Sequence, residues 1–190
     1  FPNAPILSTP AVIHEIEKKL PKKVAFWGPK MGTNAPKSPI IPKAVDTNTS
    51  PLAGTTIEIR GTQGSLAHRP YVWIPSISTI AGDVNTYANM HVWTADSATP
   101  ADRQAWIKRL DEMKALHPKT VVPGHQAGSY NLSPQVLDQT RDYLVSFEKY
   151  AKTAKNSEQL INSMKQAYPN KAGVDNLVLG AKVATGEMKW

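Results

Sequence analysis

The fold is decided by IAGDVNTYANMH, residues 80–91, and by LHPKTVVPGHQAG, residues 116–128. An apolar strand pattern in the first segment ends at Asp83, and another in the second ends at His125. A glycine precedes each residue and lets the backbone approach a neighbour closely. A carboxylate and an imidazole held at strand ends are a common partial ligand set for zinc or iron. The two segments together favour metal ligands, although Asp83 alone could be a turn residue.

Further strand patterns surround the first segment. Residues 55–61 alternate between apolar and polar, while residues 70–76 and 78–83 indicate two strands joined by a tight turn. Strands joined in this way are expected to be antiparallel, which disfavours a purely parallel, doubly wound sheet. The sequence therefore predicts an α/β or α+β fold.

Helices are predicted on both sides of these strands. Thr9 and Thr99 are each followed by proline, so each suits the N-cap of a helix with proline at its first position. The first of these helices is expected to kink or break at Pro21. Amphipathic patterns predict further helices from residue 133, over about 157–168, and in the last segment.

The segment 28–54 contains five prolines and is predicted to be irregular. A long irregular stretch inside a compact domain is uncommon and is often functional or interfacial.

The strand ending in Gly-Asp, the helix from Thr99 to Leu116 and the later T-V-V-P-G-H make the chain similar to the metallo-β-lactamase superfamily. The resemblance covers nearly the whole chain. It implies that residues 1–190 form a single domain, the C-terminal part of an αββα sandwich. It also implies that Asp83 bridges two zinc ions and that His125 binds the second of them.

The longer stretch WIPSISTIAGDVNTYANMHVWTADS, residues 73–97, resembles a subgroup of small, often exported hydrolases in which an N-x-H loop follows the aspartate. That resemblance implies that His91 overhangs the active site, where it contacts substrate or stabilises developing negative charge. The alternative for His91, which is flanked by Met90 and Val92, is a packed loop histidine.

Two departures from the family pattern matter. The signature H-x-H-x-D-H is absent, because none of the five histidines (14, 68, 91, 117 and 125) has that spacing. In relatives it precedes a segment like FPNAPILSTP, residues 1–10, so we expect the chain to begin just after it and to lack most of the first metal site. The family's middle histidine ligand falls near Gln63, a poor zinc ligand; His68 could replace it or be an ordinary loop residue.

The resemblance implies hydrolysis of an ester, lactone, thioester or amide of a small-molecule substrate by metal-bound hydroxide. With so few ligands, we expect the chain as given to be weakly active or inactive and to hold little zinc. Half a sandwich would expose an apolar sheet face, which predicts either a missing N-terminal segment or a homo-oligomer as partner. The alternative is a non-catalytic interaction module that retains the scaffold.

The amino-acid composition bears on other functional classes and on the location of the protein. The absence of cysteine excludes disulfides, thiolate metal sites and a cysteine nucleophile, and it suits a periplasmic or secreted protein, although a cytoplasmic one is possible. The net charge of +7 is scattered rather than clustered, so nucleic-acid binding is not favoured. No apolar run is long enough to predict a membrane span. Without a G-x-S-x-G motif, serine hydrolase chemistry is disfavoured.

Overall fold

A computed structural model describes residues 4–190 as a mixed α/β fold, which confirms the predicted class. Residues 1–3 of the predicted 1–190 domain lie outside the described part. The helices are α1 (Pro10–Met31), α2 (Pro100–Lys114), α3 (Gln135–Ala151), α4 (Ser157–Ala167) and α5 (Val174–Ala184). The strands are β1 (Leu7–Ser8), β2 (Lys43–Ala44), β3 (Thr49–Leu52), β4 (Thr55–Arg60), β5 (Tyr71–Ile74), β6 (Thr79–Ala81), β7 (Tyr87–Ala88), β8 (Thr120–Val121) and β9 (His125–Gln126).

The main sheet has five strands in the order β3-β4-β5-β6-β8. Its first four strands are antiparallel neighbours, and Trp73 of β5 pairs with Ile80 of β6, so the predicted antiparallel pairing is confirmed. Strand β8 instead lies parallel to β6, with Ile80 opposite Val121. Because adjacent parallel strands end at the same sheet edge, the segments after β6 and β8 emerge side by side.

A second, two-stranded parallel sheet continues from this edge. Tyr87 of β7 pairs with His125 of β9, and Ala88 pairs with Gln126. The two segments that carry the predicted ligands therefore stay hydrogen-bonded beyond the main sheet. A further short parallel pair, β1 with β2, lies near the start of the chain.

Helices α2 to α5 form the core together with β6 and β8. Helix α2 begins with a capping box, in which the side chain of Thr99 accepts from the backbone N–H of Asp102 at 3.1 Å. This confirms the predicted start. Each of these helices and strands contributes fully buried side chains: Ile80, Trp106, Leu110, Val121, Leu144, Phe147, Leu160, Met164 and Leu177.

Helix α1 runs through Pro21 and Pro29 without ending, so the predicted break at Pro21 is wrong, while the alternative of a kink there stays a prediction. Proline removes a backbone donor and leaves the carbonyl four residues earlier without its partner. Here Pro21 and Glu17 are both exposed, so water can bind that carbonyl and the helix continues. The irregular segment predicted for 28–54 is correspondingly shorter, since α1 reaches Met31 and two short strands form later.

Asp96, in the loop before α2, binds four side-chain donors, three of which attach α1 and the end of the chain to this loop. The amines of Lys19 and Lys23 bind its carboxylate at 3.1 Å and 3.3 Å. The indole N–H groups of Trp93 and Trp190 donate to it at 2.7 Å and 3.1 Å. Burial alone would raise the pKa of Asp96, but the two lysines lower it to about 2.

Within residues 4–190, no helix is both long enough and apolar enough to cross a bilayer.

Candidate functional site

The ends of β6 and β8 are in direct backbone contact. Gly124 lies against the main chain of Asp83 so closely that a Cβ at position 124 would collide with the carbonyl of Asp83. The glycine of the PGH sequence is therefore required by a close approach, as its position predicted. Asp83 and His125 consequently belong to one small region.

Thr86 connects the two predicted ligands. Its hydroxyl lies 3.1 Å from both carboxylate oxygens of Asp83 and accepts a hydrogen bond from the N–H of Gly124 at 3.2 Å. Its backbone carbonyl accepts from the N–H of His125 at 3.1 Å. A displacement of Asp83 would therefore also shift the backbone of His125.

The carboxylate of Asp83 is 4% exposed. Its Oδ1 atom accepts from the backbone N–H groups of Asn85 and Thr86 at 2.6 Å and 2.8 Å. Burial raises the pKa of Asp83 to about 6, even though these hydrogen bonds act in the opposite direction. In this arrangement Asp83 caps the turn after β6, which is what the turn interpretation also predicts.

The ring of His125 stacks on Tyr87, with 4.2 Å between ring centroids and 26° between planes. It faces a cavity of about 620 Å³ that also takes in His68. Burial and the nearby cation of Arg69 lower the pKa of both histidines. Two imidazoles that stay neutral near pH 7 can act as metal ligands or hydrogen-bond acceptors.

Gln63 and His68, the two candidates for the middle ligand, differ in their position relative to the cavity. His68 lines the cavity, whereas Gln63 contributes a backbone carbonyl that lies 3.5 Å from a guanidinium nitrogen of Arg109. Of the two, His68 is the one that could reach a ligand in the cavity.

The cavity lies between α1 and the loops that follow the strands. Its wall is aromatic and charged, formed by Glu15, Lys19, Lys23, Trp27, His68, Arg69, Tyr87, Trp93, Asp96, Trp106 and His125 among others. A volume of this size suits a small organic molecule.

Arg69 was not predicted from the sequence, yet it is the most unusual residue of this cavity. It is 6% exposed, and its guanidinium carbon lies 4.6 Å from the ring centroid of Trp106. The buried Nη1 atom has no hydrogen-bond partner within residues 4–190. Nothing local in the sequence H-R-P signals this burial, because it depends on α1 and α2 packing around the residue.

His91 lies elsewhere, in the core rather than on the cavity wall. It is 1% exposed, and its Nδ1 atom is 3.0 Å from the hydroxyl of Tyr143. Burial lowers the pKa of His91 to about 4, so the ring stays neutral. The packed-histidine alternative describes this contact, and the predicted contact with substrate stays a prediction.

The donor set does not fit a tightly held ion. No group of three or more His, Asp or Glu side chains is placed to hold a metal within the described residues. Zinc sites use three or four protein ligands, and this region offers Asp83, His125 and, across the cavity, His68. Tight zinc binding is therefore not expected from these residues by themselves.

No protein-family model matches the chain, and no curated protein matches it either. We therefore assign function from the residues and the geometry above.

Proposed function

We propose that the chain is part of a metal-dependent hydrolase of the metallo-β-lactamase type, in which Asp83 and His125 are ligands of the metal site. Its substrate would be a small ester, lactone, thioester or amide. The fold would be the C-terminal part of the αββα sandwich.

One observation carries the proposal: Asp83 and His125 follow adjacent parallel strands and are joined through Thr86. Two residues separated by more than 40 positions are thereby brought into one small region, which supports the proposal that they share a cation. The small-molecule cavity that His125 lines adds support, since a hydrolase needs room for its substrate beside a ligand of the metal.

Further ligands would be needed to complete the site, because Asp83 and His125 are only two of the three or four protein ligands that zinc uses, and no third one is clustered with them in the described residues. We therefore propose that the chain by itself has little or no hydrolase activity. In the complete site, Thr86 would position Asp83, and the stacked ring of Tyr87 would fix the orientation of His125.

Zinc content tests this proposal. After incubation with zinc and exhaustive dialysis, plasma emission should find much less than one equivalent per chain, and 4-nitrophenyl acetate should be hydrolysed no faster than by a blank. One or more retained equivalents would contradict the proposed incompleteness. The control for imidazoles outside the site is the His14→Asn, His117→Asn double variant. It removes two exposed imidazoles and should behave like the parent.

A second candidate is the non-catalytic interaction module. It is favoured by the exposed apolar side chains of the first part of the chain, where none of the 22 residues of α1 is buried. These exposed residues are Ile6, Leu7, Val24, Trp27, Met31, Ile40, Ile41 and Leu52. Where such residues form a contiguous patch, they provide a surface for association. Light scattering tests it: a concentration-dependent dimer supports association, and a monomer at all concentrations argues against self-association.

A further inference from the structure

We propose that the cavity beside His125 binds a small molecule with one carboxylate group and an aromatic or apolar body, and that Arg69 binds the carboxylate. This goes beyond the proposed hydrolase, because it requires no metal and holds whether or not the chain hydrolyses anything.

The first reason is the state of the guanidinium. Arg69 is 6% exposed, lines the cavity, and forms no ion pair within 4.0 Å among the described residues. Its Nη1 atom is buried without a hydrogen-bond partner there. A buried cation is costly unless an anion accompanies it, and arginine stays protonated under ordinary conditions. A ligand anion would supply the partner that the protein does not.

The acidic side chains of the cavity are already engaged. Asp96 accepts from Lys19, Lys23 and two tryptophans, and Glu15 lies 2.7 Å from the amine of Lys19. Asp96 attracts Arg69 electrostatically, but it is not within ion-pair distance. Neither carboxylate lies within 4.0 Å of the guanidinium, and both are already paired with lysine.

The residue is also held in place. Its backbone carbonyl accepts from Nη1 of Arg109 at 3.0 Å and from the side-chain amide of Asn85 at 3.3 Å. One face of the guanidinium lies over Trp106. A planar guanidinium fixed in this way can bind a carboxylate through two parallel N–H groups.

The charges in the cavity and the aromatic side chains of its wall indicate the class of ligand. A single uncompensated cation matches a carboxylate better than a dianionic phosphate, because both cavity lysines are already paired with acids. The rings of Trp27 and Trp93 offer stacking surfaces for the rest of the molecule. The volume of about 620 Å³ is large enough for a molecule of two fused rings.

The competing explanation is structural: the cation–π contact with Trp106 alone could be the reason for the arginine. In that case the cavity would not distinguish an acid from the corresponding neutral amide.

The test is a titration of the whole chain with 1-naphthaleneacetate in the presence of EDTA. Binding is measured by calorimetry and by tryptophan fluorescence. The neutral 1-naphthaleneacetamide and phenyl phosphate are titrated in parallel. We expect the carboxylate to bind about tenfold or more tightly than the amide, since only the carboxylate accepts charge-assisted hydrogen bonds from the guanidinium. Equal affinity for acid and amide, or no binding of either, would overturn the proposal. Tighter binding of phenyl phosphate would overturn the choice of carboxylate.

Variants locate the binding group. Arg69→Gln should lose the preference for the carboxylate, Arg69→Lys should retain part of it, and Arg141→Gln, which removes an exposed arginine, should leave it unchanged. A preference that survives Arg69→Gln would assign the anion to another residue and contradict the proposal. If Arg69→Gln does not fold, the comparison of acid with amide in the parent chain still decides. Because EDTA is present throughout, failure here is separate from failure of the metal site.

Discussion

The hydroxyl of Thr86 lies 3.1 Å from each carboxylate oxygen of Asp83, at the point where β6 leaves the main sheet. The same hydroxyl accepts the N–H of Gly124, which follows β8. Thr86 thus links the ends of two adjacent parallel strands and orients the acidic residue of the candidate site. The stability of this junction is open to direct measurement.

Replacing Thr86 by valine keeps the shape of the side chain and removes its hydroxyl. We expect a loss of about 1–3 kcal/mol in the free energy of unfolding, because a buried carboxylate and a backbone N–H lose a partner. Thr86→Ser retains the hydroxyl and should lose less. Urea denaturation measures both, and equal stability of the valine variant and the parent would show that the junction is not held by this hydroxyl.

Asp83→Asn tests the buried charge through its pH dependence. The folded pKa of Asp83, about 6, lies above the usual 3.8, so the folded state binds the proton more tightly and the parent loses stability as the pH rises from about 4 to 6. Asparagine does not titrate. The stability of the variant relative to the parent should therefore increase over this range by roughly 3 kcal/mol and level off above pH 6.

The comparison of variant with parent cancels His91, whose lowered pKa acts in the opposite direction in the same pH range. Denaturation curves at a series of pH values provide the measurement. A difference between the two proteins that does not change with pH would mean that the carboxylate titrates normally.

Gly124→Ala tests the close approach of the two strand ends. The added methyl group would collide with the backbone of Asp83, which cannot move away as a flexible side chain could. We expect a loss of about 3 kcal/mol or more, or failure to fold. The control is Gly28→Ala in α1, where no atom lies within 4 Å of the new Cβ and alanine favours the helix. Equal thermal stability of the two variants would contradict the described contact.

Asp96→Ala should release α1 from the rest of the molecule. The substitution removes the partner of Lys19 and Lys23 and of two indole N–H groups. Amide hydrogen exchange should become faster in residues 10–31 while α3 and α4 keep their protection. Because the pKa of Asp96 is lowered to about 2, the parent should show the same release only as the pH falls from 3.8 towards 2. Unchanged exchange in α1 would show that other contacts hold the helix.

The sequence predicts best what is local. The start of α2 follows from Thr99 and the proline after it, and the pairing of β5 with β6 follows from their tight turn. It predicts poorly what depends on distant partners. Proline 21 does not end α1, because the exposed side of the helix allows water to bind the freed carbonyl.

In the candidate site, too, the local features could be predicted and those that depend on distant residues could not. That Asp83 and His125 lie in one region could be predicted, because each lies beside a glycine at a strand end. The burial of Arg69 could not, since it arises from Trp106 and from helix α1, which is attached through contacts such as Lys19 to Asp96, 77 residues apart. The contact of His91 with Tyr143 could not be predicted either, because the two residues are 52 positions apart.

The most direct test of the shared metal site is a cobalt titration followed by visible absorption. We predict weak, saturable binding by the parent chain, lost in both Asp83→Asn and His125→Asn and unchanged in the His14→Asn, His117→Asn control. Binding that survives both site substitutions, or no binding in the parent at any accessible concentration, would contradict a common cation at the two strand ends.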